Sequence, residues 1–179
     1  METRLDGATV YTGSFLTVRQ DNVRLPDGAQ ATREYIHHPG AVVILPLFDD
    51  GSLLLERQFR YPLQQVFTEF PAGKLDAGED PLRCAQRELR EETGYTATQW
   101  QFLCTIHNAI GYSDEHLDLF VARGLVPGPR QLDDGEFVDL HRMTLAQALQ
   151  QVRQGAITDV KTIIGIFWLD KMAADVWPE

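Results

Sequence analysis

The chain has 179 residues, with 16 Lys+Arg against 26 Asp+Glu and a formal net charge of −10. That length suits one domain with room for a small extra arm, and 44% hydrophobic residues can supply a sizeable core. The acidic balance, with no basic stripe interleaved with aromatics, argues against nucleic acid as a large partner, while a small anionic substrate can still be held by a local basic patch or bridged by a metal.

The longest apolar stretches, 41–48 and 163–169, are far shorter than a bilayer span, so no membrane association is expected. The segment 1–6 has no apolar signal region. Cys84 and Cys104 follow neither a metal-ligand nor a disulfide spacing, which suits a reducing compartment. A cytoplasmic protein is the expectation.

Residues 1–39 alternate apolar and polar in three runs, 8–11, 16–20 and 31–36, with a turn at 25–28. This predicts a small antiparallel sheet. Gly40 opens a buried strand over 41–48; Asp49, Asp50 and Gly51 make a hairpin turn, and 52–59 is the return strand. Glycine and proline punctuation at 70–73 leads into a glutamate-rich helix. Asp80 suits its N-cap, Pro81 its first position and Gly94 the left-handed C-terminal position.

Strands are expected at 99–107, 117–123 and 136–140, with a loop at 125–130. Thr144 and Gln147 form a capping box for a second helix ending at Gly155. Asp159 caps a last helix whose apolar positions are Val160, Ile163, Ile164, Phe167 and Trp168. Strands interspersed with helices, many linked as hairpins, give an α+β or mixed α/β fold.

The chemistry concentrates in the glutamate helix. Glu88, Glu91 and Glu92 sit at i, i+3 and i+4, so one helix face carries three carboxylates that repel one another by a few tenths of a kcal/mol per pair. A hard divalent cation needs such oxygen ligands. Water attacking a diphosphate concentrates negative charge on anionic oxygens, and metal ions can neutralise that charge, position the phosphates and activate the water. Arg87, four residues before Glu91, can orient that carboxylate.

These residues fill every position of the pattern Gly-x5-Glu-x7-Arg-Glu-U-x-Glu-Glu-x-Gly-U, where U is bulky and apolar: Gly73, Glu79, Arg87, Glu88, Leu89, Glu91, Glu92, Gly94 and Tyr95. The segment resembles the Nudix hydrolase box. The resemblance implies an α/β/α sandwich that binds Mg²⁺ or Mn²⁺. By position, Glu88 and Glu92 would be metal ligands and Glu91 a further ligand or an orienter of water. Gly73, Glu79 and Gly94 would be structural.

Outside the box, 57–62, 69–73, 111–115, 132–136 and 155–159, together with Arg33 and Glu34, are similar in order to the ADP-ribose pyrophosphatases and related nucleoside-diphosphate-sugar hydrolases. That subgroup implies a metal contact from the Ala72 carbonyl and a site built at a homodimer interface, with 1–39 as a dimerising β arm and 40–179 as the Nudix domain. Arg33, Glu34, Arg60 and Glu115 would contact the substrate, and Glu136, or else Asp134, would act as general base. Two departures leave the base and sugar open: Ile110 stands where relatives carry proline, and Ser14 where some carry an aromatic. GDP-mannose or a dinucleotide such as NADH is the alternative substrate. A nucleotide-binding module without catalysis is a further alternative, against which all the carboxylates are present. His37, His38 and His107 lack a complementary Cys/His set, so packed or exposed strand positions are expected for them.

Overall fold

The computed structural model describes residues 1–132 and 135–176. The chain divides into two compact units, 1–40 with 107–116, and 41–106 with 117–176.

The first unit is an antiparallel sheet of β1 (Thr3–Thr12), β2 (Thr17–Arg24) and β3 (Gln30–His37), in the order β1-β2-β3. The β2–β3 turn closes through Gly28 N–H donating to the Leu25 carbonyl at 3.0 Å, with Gly28 at φ 90°. Every residue of β1 is exposed. Segment 107–116 joins this unit non-locally: Ile36 N–H donates to the Tyr112 carbonyl at 2.8 Å, and His37 Nδ1 lies 2.6 Å from Asp114. His38 Nδ1 accepts from Gly40 N–H, and His107 is exposed.

The second unit has a mixed sheet at its centre, in the order β7 (Ala72–Lys74), β4 (Ala41–Pro46), β9 (Leu117–Pro127), β8 (Tyr95–Ile106). β4 runs parallel to β9 and antiparallel to β7. All six residues of β4 are buried because both faces are covered, which is why its sequence is uninterruptedly apolar. Ala41, Val43 and Leu45 face one core, shared with α2 (Leu145–Arg153) and α3 (Val160–Ala173). Val42 and Ile44 face the other, against Cys84, Ala85 and Leu89 of α1 (Pro81–Thr93). The unit is thus helix, sheet and helix in layers. A second antiparallel sheet, β10 (Val138–Thr144), β5 (Ser52–Arg60), β6 (Gln65–Glu69), flanks it.

The caps act as their residue types predict. Asp80 accepts from Arg83 N–H, and Thr144 with Gln147 makes both bonds of the capping box. Ile163 and Ile164 of α3 pack against the core as expected, but the helix is turned away from two of the other apolar positions. Val160 and Phe167 are exposed, while Lys161, Thr162, Gly165, Ile166 and Leu169 are buried. The reason is Gly165, where a Cβ would stand 2.9 Å from the Phe70 ring and 3.1 Å from Leu45. The bare backbone lets the helix seat there, and that contact sets its rotation. Two short strands were not expected, β6 in a stretch assigned no element and β7 at the glycine and proline punctuation, since each is fixed by its partner across the ladder rather than by its own pattern. Among the described residues no helix is long and apolar enough to cross a membrane.

Candidate active site

α1 carries the carboxylate face, and β7 with its following loop runs against it. Gly73 is the closest approach: a Cβ there would fall 1.8 Å from Glu88 Cδ, so only glycine admits the Glu88 carboxylate. Behind the loop, Cys84 Sγ lies 3.3 Å from the Lys74 carbonyl and burial pushes its thiol up to about 12, so it packs as a small hydrophobe.

Arg87 organises the face. Its Nε and Nη2 donate to the two oxygens of Glu79 at 3.0 and 2.9 Å, and its Nη1 donates to Glu88 at 2.7 Å and Glu91 at 3.2 Å. One guanidinium therefore ties the loop carboxylate to two helix carboxylates. The Arg87 bond and the Asp76 N–H, working against some desolvation, hold Glu79 down at about 2, and Glu79 in turn keeps Arg87 charged well above its ordinary range.

Glu92 points inward and accepts from Ala72 N–H at 3.1 Å. Burial pushes its carboxyl well up, reinforced by repulsion from Glu56, Glu88 and Glu136. Glu88 is raised for the same first reason, burial, with Arg87 opposing. Glu136, half-buried, is thus near enough to repel Glu56, Glu88 and Glu92. The loop that carries it is anchored to the end of α1. Arg130 donates from Nε to the Glu92 carbonyl and from Nη2 to the Val138 carbonyl at 2.7 Å, while Gln131 N–H donates to the Glu91 carbonyl at 3.1 Å. At the helix terminus Gly94 has φ 74°, and a Cβ there would meet the Gly128 carbonyl at 2.8 Å. Asp134 lies outside the described residues.

A second charged group lies behind β7. Glu69 is fully buried and receives both Nε and Nη2 of Arg60 at 2.8 Å each, and Lys161 Nζ from the start of α3. Glu56, opposite Glu69 in the ladder, is 1% exposed and neither of its oxygens has a hydrogen-bond partner. Burial pushes its carboxyl up, and Glu69 adds to the rise. Sequence reasoning missed Glu56, Lys161 and Arg130. The available signal was a glutamate closing the apolar run Leu53, Leu54, Leu55, where the alternation of a half-buried strand was already lost.

In the first unit Arg33 pairs with Glu2 through two nitrogens, Glu34 accepts from Gln20 at 2.8 Å, and Glu115 accepts from Asn108 at 3.4 Å.

Among the described residues no three His, Cys, Asp or Glu side chains already converge as a metal cage. The oxygens of Glu88, Glu91 and Glu92 are instead held by Arg87 and by a backbone N–H. The donor set nevertheless fits a hard divalent cation. It is all oxygen, largely buried, in negative excess, and includes a carboxylate at Glu56 with nothing to neutralise it at hydrogen-bond distance.

The NUDIX domain family matches residues 37–163, and the nucleoside diphosphate sugar hydrolase N-terminal domain matches 2–36. The chain is 39% identical over 167 residues to the methanol dehydrogenase activator of Bacillus methanolicus, covering 92% of this chain and 90% of that one. It is 38% identical over 162 residues to the ADP-ribose pyrophosphatase of Bacillus subtilis (strain 168), covering 89% and 88%. The solved structure of an ADP compounds hydrolase shares the fold, with TM-score 0.85 at 24% identity over 97% of this chain and 95% of that one. Nudix hydrolases generally use a divalent metal, in keeping with an all-oxygen donor set. With its box complete from β7 through α1 to the start of β8 and the family match spanning most of its length, this chain belongs to the Nudix hydrolases.

Proposed function

We infer that this chain is a Mg²⁺-dependent pyrophosphatase acting on ADP-ribose or a related nucleoside diphosphate sugar, releasing a nucleoside monophosphate and a sugar phosphate. The observation that carries the reading is the α1 face, where Arg87 gathers Glu79, Glu88 and Glu91 beside the Ala72–Glu92 contact. Glu88, Glu91, Glu92 and the Ala72 carbonyl hold Mg²⁺, with Mn²⁺ as a substitute. Such a cation, when bound, neutralises diphosphate charge and acidifies water. Arg87 keeps the ligand carboxylates in place while the substrate exchanges. Glu136 takes the proton of the attacking water, a role supported by its nearness to Glu88 and Glu92.

Arg33, Glu34, Arg60 and Glu115 contact the substrate, the two guanidinium groups suiting phosphate oxygens or the terminal sugar. Glu69 fixes the direction of Arg60 by holding two of its nitrogens. The chain acts as a homodimer through its first unit. The motivating feature is β1, whose ten exposed residues include Leu5, Val10 and Tyr11 as cover for a second copy. Two free thiols suit a reducing cytoplasm, and the negative charge suits a small-molecule substrate rather than nucleic acid.

A panel of ADP-ribose, GDP-mannose and NADH, assayed for released monophosphate with Mg²⁺, tests the substrate. ADP-ribose is expected to lead, and its ranking last would reject it. Glu91→Gln or Glu92→Gln should lower turnover by roughly 10²-fold or more with the fold retained. Near-normal turnover in both would remove the metal-site reading.

A further inference from the structure

Glu56 is unlike every other described acidic residue. It alone buries a carboxylate with neither oxygen hydrogen-bonded. Its position on β5, opposite Glu69, turns it into the interior of the second unit rather than to a surface. A buried polar group with no hydrogen-bond partner is costly whether charged or neutral, and a native fold keeps one only where something else completes it.

Its neighbours cannot do so. Glu69, Glu92 and Glu136 are acceptors that repel it. Arg60 and Lys161 are the nearby cations, yet their hydrogen bonds go to Glu69 and Asp159. Three buried carboxylates, Glu56, Glu69 and Glu92, therefore share two cations, and the shortfall falls on the Glu56–Glu92 side. Glu92 is itself the carboxylate assigned to the divalent cation, held against Ala72.

We propose that Glu56 is a further oxygen ligand of the divalent-cation site of α1, reaching the cation directly or through one of its coordinated waters. The inference rests on the metal-site reading above and extends it from the box helix to strand β5. Glu56 then belongs to the cation's donor set, and the cation completes the charge that Arg60 and Lys161 leave unmatched.

Mn²⁺ binding to the full chain without nucleotide, followed by the spin-resonance signal of free Mn²⁺, tests this. The wild type is compared with Glu56→Gln, Glu56→Leu and Glu92→Gln. Glutamine keeps the shape of Glu56, and leucine matches Leu53, Leu54 and Leu55 beside it, so at least one variant keeps the fold. Urea midpoints in EDTA check that. Both Glu56 variants should bind Mn²⁺ roughly tenfold to a hundredfold more weakly, as Glu92→Gln should. Wild-type affinity in the Glu56 variants, with Glu92→Gln weakened, overturns the proposal and leaves the box reading intact. Unchanged binding in all three, or no binding by the wild type, overturns both. Weakening at Glu56 but not at Glu92 places a cation away from the box helix and also overturns the proposal.

Discussion

Gly73→Ala separates the cost of folding from the cost of chemistry. The new Cβ would stand 1.8 Å from Glu88 Cδ and 1.9 Å from its Oε1, so the carboxylate has to leave. Gly73 is not among the residues with positive φ, so alanine suits the backbone itself. Displacing Glu88 breaks its 2.7 Å bond from Arg87, a charged hydrogen bond of about 1.5–3 kcal/mol. Restricting the unfolded chain returns about 0.4–1 kcal/mol. The net loss is about 0.5–2.6 kcal/mol, or roughly 1–10 °C in Tm for a chain this long. Turnover should fall on the order of 10²-fold or more, because a ligand moved by an ångström is enough for that. Urea unfolding and diphosphate hydrolysis on one preparation read both numbers. A folded variant with wild-type turnover would show that Glu88 is not needed where it stands. A loss beyond about 4 kcal/mol would show that Glu88 cannot swing aside.

Three further outcomes are expected. Gly165→Ala forces a methyl against Phe70 and Leu45, and overpacking should cost about 1–3 kcal/mol in urea; a neutral or stabilised variant would contradict the seating of α3. Lys161→Met removes a buried cation from Glu69, and about 3 kcal/mol should be lost because Arg60 stays; a change under about 1 kcal/mol would count against the pairing. Glu79 has a folded pKa lowered to about 2 from 4.5, so its contribution is present above pH 4.5 and is lost as pH falls toward 2. The urea midpoint of the wild type should therefore drop more between pH 6 and pH 3 than that of Glu79→Gln, and equal drops would refute the Arg87–Glu79 coupling.

Much of this molecule was legible in its sequence where the signal is local. Asp80, Pro81 and Gly94 bound α1 through caps that need no tertiary partner, and Thr144 with Gln147 does the same for α2. The box was legible because its spacing is that of one helix face plus one loop. What escaped depends on partners distant in sequence. β7 is three residues long and exists through its ladder with β4. The rotation of α3 is set by the absence of a side chain at Gly165, which an apolar-periodicity reading counts as nothing. Glu56 reads as one charge at the end of a strand, and its burial becomes visible only in the folded sheet, where it stands opposite the buried Glu69 of β6. Arg130 lies in a loop and acts through two backbone carbonyls that the fold brings together.

Phe70 N–H donates to the Thr162 hydroxyl at 2.9 Å, across 92 residues, and Lys161 reaches Glu69 over the same span. The strand that leads into the box is therefore held from behind by α3. A nascent chain carrying the whole motif through Tyr95 still lacks the clamp that seats it. The clamp is then absent until α3 has left the ribosome, so ribosome-bound intermediates and fragments ending before Val160 carry the motif without it.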